Sequence, residues 1–173
     1  DKKDAQGYTL RIDQNSKLEN SWSQKLESGW CAPTMMLAYL TIRRSIKAGQ
    51  PNLSNYVIRA TEFFIKYAGQ KSGVFYSNFD LKQMKWNIKH SDAVQMGGAS
   101  FWLLKCHQLL RTTDIFNGLI NIESWTNFAL KFCDLAMRTQ LKSGSYGSVW
   151  DMDGNCIGTE RAMGVHAARA GLE

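Results

Sequence analysis

Proline is nearly missing from this chain, at two residues in 173. With 44% of residues hydrophobic and 12% aromatic, that scarcity excludes a collagen-like, linker-rich or disordered chain and leaves a packed domain. No apolar run reaches the roughly 18 residues that a transmembrane helix needs, so a membrane is not an expected partner. Cysteine is sparse as well: Cys31, Cys106, Cys133 and Cys156 stand far apart with no C-x-x-C pair, which signals neither a zinc site nor a compact disulfide framework. Cys106 and Cys133 fall on apolar helical stripes and read as buried free thiols. The net charge is +6, yet no block of five or six like charges occurs. Arg43, Arg44 and Lys47, like Lys82, Lys85 and Lys89, therefore read as solvated faces, and nucleic acid is not the expected partner. H-E-x-x-H, G-x-S-x-G, P-loop and G-x-G-x-x-G motifs are all absent, so no metal and no cofactor are expected. The opening DKKDAQGYTL is too polar for a signal peptide; a removed one would leave no trace, and the compartment stays open.

What the chain does contain is helical periodicity broken by turn residues. Residues 1–29 form a polar lead-in, with Tyr8, Leu10 and Ile12 alternating as in an edge strand. From Pro33, Met35, Tyr39, Ile42 and Ile46 recur at helical spacing until Gly49 and Pro51. Ser54 or Asn55 caps a second stripe of Val57, Ile58, Phe64, Ile65 and Ala68, ending near Gly69. A connecting segment from Asp80 to Gly98 leads to a third helix, capped by Ser100 and carrying Phe101, Leu103, Leu104, Leu109 and Leu110. Glu123 to Gln140 forms a fourth, with Trp125, Phe128, Ala129, Phe132, Leu135 and Ala136 on its buried side. A fifth begins near Glu160 or Arg161.

Two segments stand out as copies: KSGVFYSNFD (Lys71–Asp80) and KSGSYGSVWD (Lys142–Asp151), offset by 142 − 71 = 71 residues. Lys71/Lys142, Ser72/Ser143, Gly73/Gly144, Phe75/Tyr146, Ser77/Ser148, Phe79/Trp150 and Asp80/Asp151 correspond, and the preceding helices align at the same offset. The implied unit is a helical hairpin followed by a Gly-closed loop with alternating aromatics and a final carboxylate. One such hairpin cannot bury its own apolar faces, and at least about three are normally stacked. Residues 30–173 hold two complete units and the opening helix of a third. The rest of the same polypeptide is then an expected partner.

The segments SGVFYSNFD and GSYGSVWDMDG (Gly144–Gly154), with the glycines Gly29, Gly97, Gly98 and Gly158 placed ahead of helices, resemble the six-hairpin toroids, the (α/α)-barrel superfamily of glycoside hydrolases and polysaccharide lyases. The resemblance implies an all-α fold of repeated antiparallel helical hairpins, part of an (α/α) toroid. It also implies an oligosaccharide or polysaccharide substrate bound where the loops converge, with carboxylates as acid and base and aromatic rings stacked on sugar faces. The leading functional expectation is therefore part of a carbohydrate-active enzyme, a glycoside hydrolase. A polysaccharide lyase of the same architecture and a non-catalytic helical-repeat binding module are the alternatives.

Within that frame Asp151, Asp153 and Asp80 are the catalytic candidates. Glycosidic hydrolysis needs two carboxyl groups about 5–9 Å apart across the bond, so a pairing with a distant carboxylate suits Asp151 or Asp153 better than the local pair. Each also has a structural reading: Asp-Met-Asp-Gly is an Asx-type turn, and Asp80 and Asp151 could be repeated caps. Trp150, Tyr146, Tyr76, Trp30 and Trp102 are candidates for stacking on sugar, against the alternative of packing between hairpins. His90 and Asp92, with Ser91, form a polar cluster suited to substrate hydrogen bonds or to base work, or to a plain surface loop. His107 and His166 read as structural histidines.

Overall fold

A computed structural model describes residues 25–28, 34–87 and 89–158. Helix α1 spans Thr34–Ala48 and buries Met35, Ala38, Ile42 and Ser45 along one stripe. It stops at Gly49, whose φ of 63° places it in the left-handed region. There the Gln50 N–H reaches the Ser45 carbonyl at 3.0 Å and the Gly49 N–H the Ile46 carbonyl at 3.1 Å, the bonding that satisfies a helix's last carbonyls. A 3₁₀ turn, Pro51–Ser54, turns the chain into α2, Asn55–Ala68. Ser45 Oγ and Ser54 Oγ meet at 2.6 Å inside that corner. Helix α3 covers Ala93–Leu110 and α4 covers Ile122–Arg138, capped by the Asn121 side chain accepting the Ser124 N–H.

Helix α3 is central: it packs against both α1 and α4, while α1 packs against α2 and α2 also touches α4. Its buried residues, among them Gln95, Met96, Gly97, Phe101, Leu103, Leu104 and Cys106, lie on every side, as expected of a helix walled in by neighbours. By contrast α2 and α4 bury one stripe each. Fully buried Phe64, Phe132, Leu135 and Trp125 join these layers, and each such side chain contributes about 1.5–3 kcal/mol by leaving water. The Trp125 indole N–H donates to the Glu62 carboxylate, tying α4 to α2.

The strands correct the all-α expectation. Strands β1 (Lys25–Glu27), β2 (Asn78–Asp80) and β3 (Lys85–Trp86) make one antiparallel sheet in the order β1-β2-β3. Strands β4 (Ser91–Asp92), β5 (Val149–Trp150) and β6 (Cys156–Gly158) make another in the order β4-β5-β6. The fold is mixed α/β, with two small three-stranded sheets, and not an all-α toroid of helical hairpins. Both KSG segments run into β-hairpins where the sequence reading has loops. The alternation of Phe75, Ser77 and Phe79 is the period-two signal of a strand, but strands of two or three residues are too short to stand out in a pattern.

The 71-residue offset itself recurs in the backbone. Strand β2 begins at Asn78 and β5 at Val149, β3 at Lys85 and β6 at Cys156. Gly73 and Gly144 both have positive φ, 92° and 82°. The Gln70 N–H to Val74 carbonyl bond, 2.9 Å, is matched by the Leu141 N–H to Ser145 carbonyl bond, 2.9 Å. These glycines close turns, donating to Gln70 and Leu141; the helices have already ended at Ala68 and Arg138. Each unit is thus strand, helix, helix, β-hairpin, and its first strand pairs with its own hairpin. The lead-in contributes β1 to the first of them.

The third helix begins seven residues before the expected Ser100 cap. Asp92 caps it, its carboxylate accepting the Gln95 N–H at 2.9 Å, and Gly97 and Gly98 lie inside it. Glycine mid-helix costs only about 1 kcal/mol, which close packing offsets; Gly97 is buried. The expected strand around Tyr8–Ile12 and the fifth helix lie outside the described residues.

Candidate functional site

The first sheet presents two faces with different chemistry. Leu26, Phe79 and Trp86 are register partners across its three strands and so share one face. That face meets the core: Trp86 stacks on Phe63 at 5.3 Å and meets Phe79 and Phe64 edge-on at 5.0 and 5.4 Å. Tyr76 also stacks on Trp86, at 5.7 Å. On the other face Lys25, Asp80 and Lys85 form the corresponding row, and Asn78 lies beside Asp80, two residues earlier on the strand.

Asn78, Asp80 and Lys85 line a cleft of about 400 Å³ together with Lys25, Gln83, Trp86, Asn87 and Lys89. Its size is that of a small-molecule site. Asp80 Oδ1 accepts the Gln83 N–H at 2.8 Å, which orients the carboxylate; Oδ2 has no protein partner among the described residues. Asn78 is 9% exposed. Its backbone carbonyl accepts the Asn87 N–H at 3.1 Å, while its side-chain amide has no hydrogen-bond partner among the described residues.

The second hairpin treats its aspartate differently. Asp151 Oδ1 accepts the N–H groups of Asp153 at 3.1 Å and Asn155 at 2.9 Å, and Oδ2 accepts Asn155 Nδ2 at 3.0 Å. These bonds, the Asn155 side-chain amide foremost, hold the Asp151 carboxyl below its usual range. Both oxygens are engaged in the turn, as an Asx turn requires. Asp153 is exposed, with a carboxylate that has no protein partner among the described residues.

The aromatic candidates divide by burial. Trp150 is 0% exposed, its indole N–H donating to Thr139 Oγ1 at 2.9 Å and its ring meeting Phe132 edge-on at 5.7 Å. It offers no face to a sugar. Tyr146 is half-buried, its hydroxyl directed at Met137 Sδ at 3.3 Å. Trp102 is half-buried against Tyr39 at 5.3 Å, and Trp30 lies outside the described residues. His90 is exposed and Asp92 is the cap of α3. Of the expected site residues the structure brings only Asp80 to the cleft on the first sheet; Tyr76 packs on Trp86 and does not line it. The structure leaves Asp151, Asp153, Trp150 and Tyr146 together around the second hairpin.

The sequence pattern gives Trp86, Asn78 and Lys25 no role, and Lys85 reads there only as part of a solvated face. For Lys85 and Trp86 alone a local signal exists, the Lys-Trp-Asn alternation that follows a four-residue turn. A second cleft, of about 470 Å³, runs between α2 and α4 over Phe75 and Phe128, and includes Gln70, Lys71, Glu123 and Lys131. Neither cleft is lined by Asp151 or Asp153. Among the described residues no group of three or more His, Cys, Asp or Glu could hold a metal, and no helix is long and apolar enough to cross a membrane. Cys106, Cys133 and Cys156 are free; Cys106 is fully buried, which pushes its thiol pKa up, whereas Cys133 is half-buried. No protein-family model matches the chain, and no curated protein matches it.

Proposed function

We propose that this chain is part of a carbohydrate-active enzyme, a glycoside hydrolase, in which the cleft on the first sheet holds a sugar unit and Asp80 supplies one of the two carboxylates. The observation that carries the reading is the pairing of Asp80, oriented through one oxygen with the other open, with the unpartnered amide of Asn78 in a cleft of about 400 Å³. A carboxylate accepts from sugar hydroxyls, and an amide both donates and accepts, so the two together suit a polyhydroxylated ring. An oriented carboxylate is also the group that protonates a leaving oxygen or activates water in glycosidic cleavage. Asp153 is exposed and open but lines neither cleft, and the described lining of this one holds no carboxylate besides Asp80. Asp151, with both oxygens committed to its turn, fits a structural part better.

The test is Asp80→Asn in the full chain, with reducing-sugar release from a panel of polysaccharides as readout. Loss of the carboxylate should lower the rate about 10²–10⁴-fold with unchanged circular dichroism. Full activity in Asp80→Asn, Asp151→Asn and Asp153→Asn alike would remove all three from the mechanism. The lysines beside Asp80 favour a polysaccharide lyase as the second reading; a product absorbing through a new double bond would distinguish it.

A further inference from the structure

Helices α2 and α4 are counterparts in the 71-residue repeat, and one side of α2 is covered by α4. There Glu62 accepts the Trp125 indole N–H, and Ile65 and Gly69 of the first unit line one cleft with Ser124 and Asn127 of α4. Arg59 and Lys66, three residues before Glu62 and four after it, lie on the same side of α2 and are exposed. At the offset of 71 the stripe Arg59, Glu62, Lys66 becomes Leu130, Cys133, Met137. The positions that are charged where a neighbouring unit already lies alongside are therefore apolar on α4. Leu130 and Met137 are 43% and 58% exposed, Cys133 is half-buried, and the Tyr146 hydroxyl lies against Met137 Sδ at 3.3 Å.

The opposite outer face shows the same exchange. Ser124 and Asn127, which α4 turns toward α2, correspond to Leu53 and Tyr56 at the start of α2, and these are 46% and 48% exposed. Four of the seven large exposed hydrophobics among the described residues thus stand at positions of the repeat's own junction, two on each outer face. Contiguous apolar surface left in water marks a contact site, and here the repeat says which surface meets which.

We propose that this chain associates head-to-tail with a second copy of itself, the α4 stripe of Leu130, Cys133 and Met137 meeting Leu53 and Tyr56 of the neighbouring copy. The internal junction is the precedent: the start of a helix already lies on that side of α2, and the equivalent side of α4 takes the equivalent helix start from another molecule. Because the two surfaces differ, the contact is heterologous, and each pair leaves one surface of each kind unfilled. Association therefore continues past two copies.

The experiment is sedimentation velocity of the full chain from about 1 to 100 μM. The average mass should rise with concentration beyond that of a dimer. Leu130→Glu/Met137→Glu breaks one surface and Leu53→Glu/Tyr56→Glu the other; each variant alone should be monomeric, its dissociation constant raised about 100-fold. All four sites are exposed, so native circular dichroism is expected of both. An equimolar mixture of the two variants should form a dimer and nothing larger, since each retains the surface that the other lacks. Native chain that stays monomeric throughout overturns the proposal and leaves both faces to a different occupant. Association of the Leu53→Glu/Tyr56→Glu variant by itself would mean that α4 meets α4, and absence of the mixed dimer would mean that the two faces are not partners; either result also overturns it.

Discussion

Two β-hairpins at equivalent positions, 71 residues apart, use the same aspartate in opposite ways. At the β5–β6 turn, Asp151 spends both oxygens on Asp153 and Asn155, and the preceding residue, Trp150, is sealed in the core. In β2–β3, Asp80 spends one oxygen on Gln83 and faces a cleft beside Asn78 and Lys85. The second turn carries Asn155, whose amide reaches the carboxylate. The first carries Met84 at that position, with φ of 50°, and Met has no such donor. The turns thus differ in that side-chain donor and also in their backbone, since N–H groups two and four residues on reach Asp151 whereas the N–H three residues on reaches Asp80.

The largest effect that would sharpen this contrast is on stability. Trp150→Ala should destabilise the protein by about 3–5 kcal/mol, as for other fully buried large aromatics, whereas Trp86→Ala, at a half-buried position, should cost clearly less. Urea unfolding of the two variants measures the difference, and equal costs would mean that the two hairpins are equally scaffold.

The paired glycines come next. At Gly73 a Cβ would collide with the Lys131 carbonyl oxygen, while at Gly144 it would meet nothing. Gly144→Ala should therefore cost only the strain of positive φ, about 1–2 kcal/mol, and Gly73→Ala more, because backbone of α4 must shift. Thermal melts of both variants check this ranking; a smaller cost at Gly73 would show that α4 yields easily to the first turn.

The smallest expected effect is a pH dependence confined to the second hairpin. Since the Asp151 carboxyl is lowered from 3.8 in the folded chain, its contribution is fully present above that value and is lost as pH falls through the folded pKa. The advantage of the native chain over Asp151→Asn in melting temperature should therefore shrink on acidification from about pH 5 to pH 2. An advantage that does not change with pH would mean that the charge of Asp151 contributes nothing to the turn.

Much of the helical framework was legible. Gly49 and Pro51 stop α1, Ser54 and Asn55 begin α2, and the stripe from Trp125 to Ala136 marks α4, because turn residues and 3.6-residue periodicity act locally. Helix α3 was half legible: its apolar residues show, but with partners on every side it has no stripe to define its start, and Gly97 and Gly98 resemble punctuation. Of the site, Asp80 was identified. Lys85, Trp86 and Asn78 were not, since nothing in a linear reading says that Lys25 and Lys85 flank Asp80 from strands 55 and five residues away.

The 71-residue repetition was determined by the sequence alone, because copied segments carry their own turn glycines, alternating apolar residues and final aspartate wherever they are placed. What those copies become was decided by tertiary structure. Pairing with β1 and β4 turns expected loops into sheets, since the backbone groups of a two-residue strand are satisfied only by a partner from elsewhere in the chain. The same packing buries Trp150 and opens the face that carries Asp80, a difference of burial that identical spacing cannot encode.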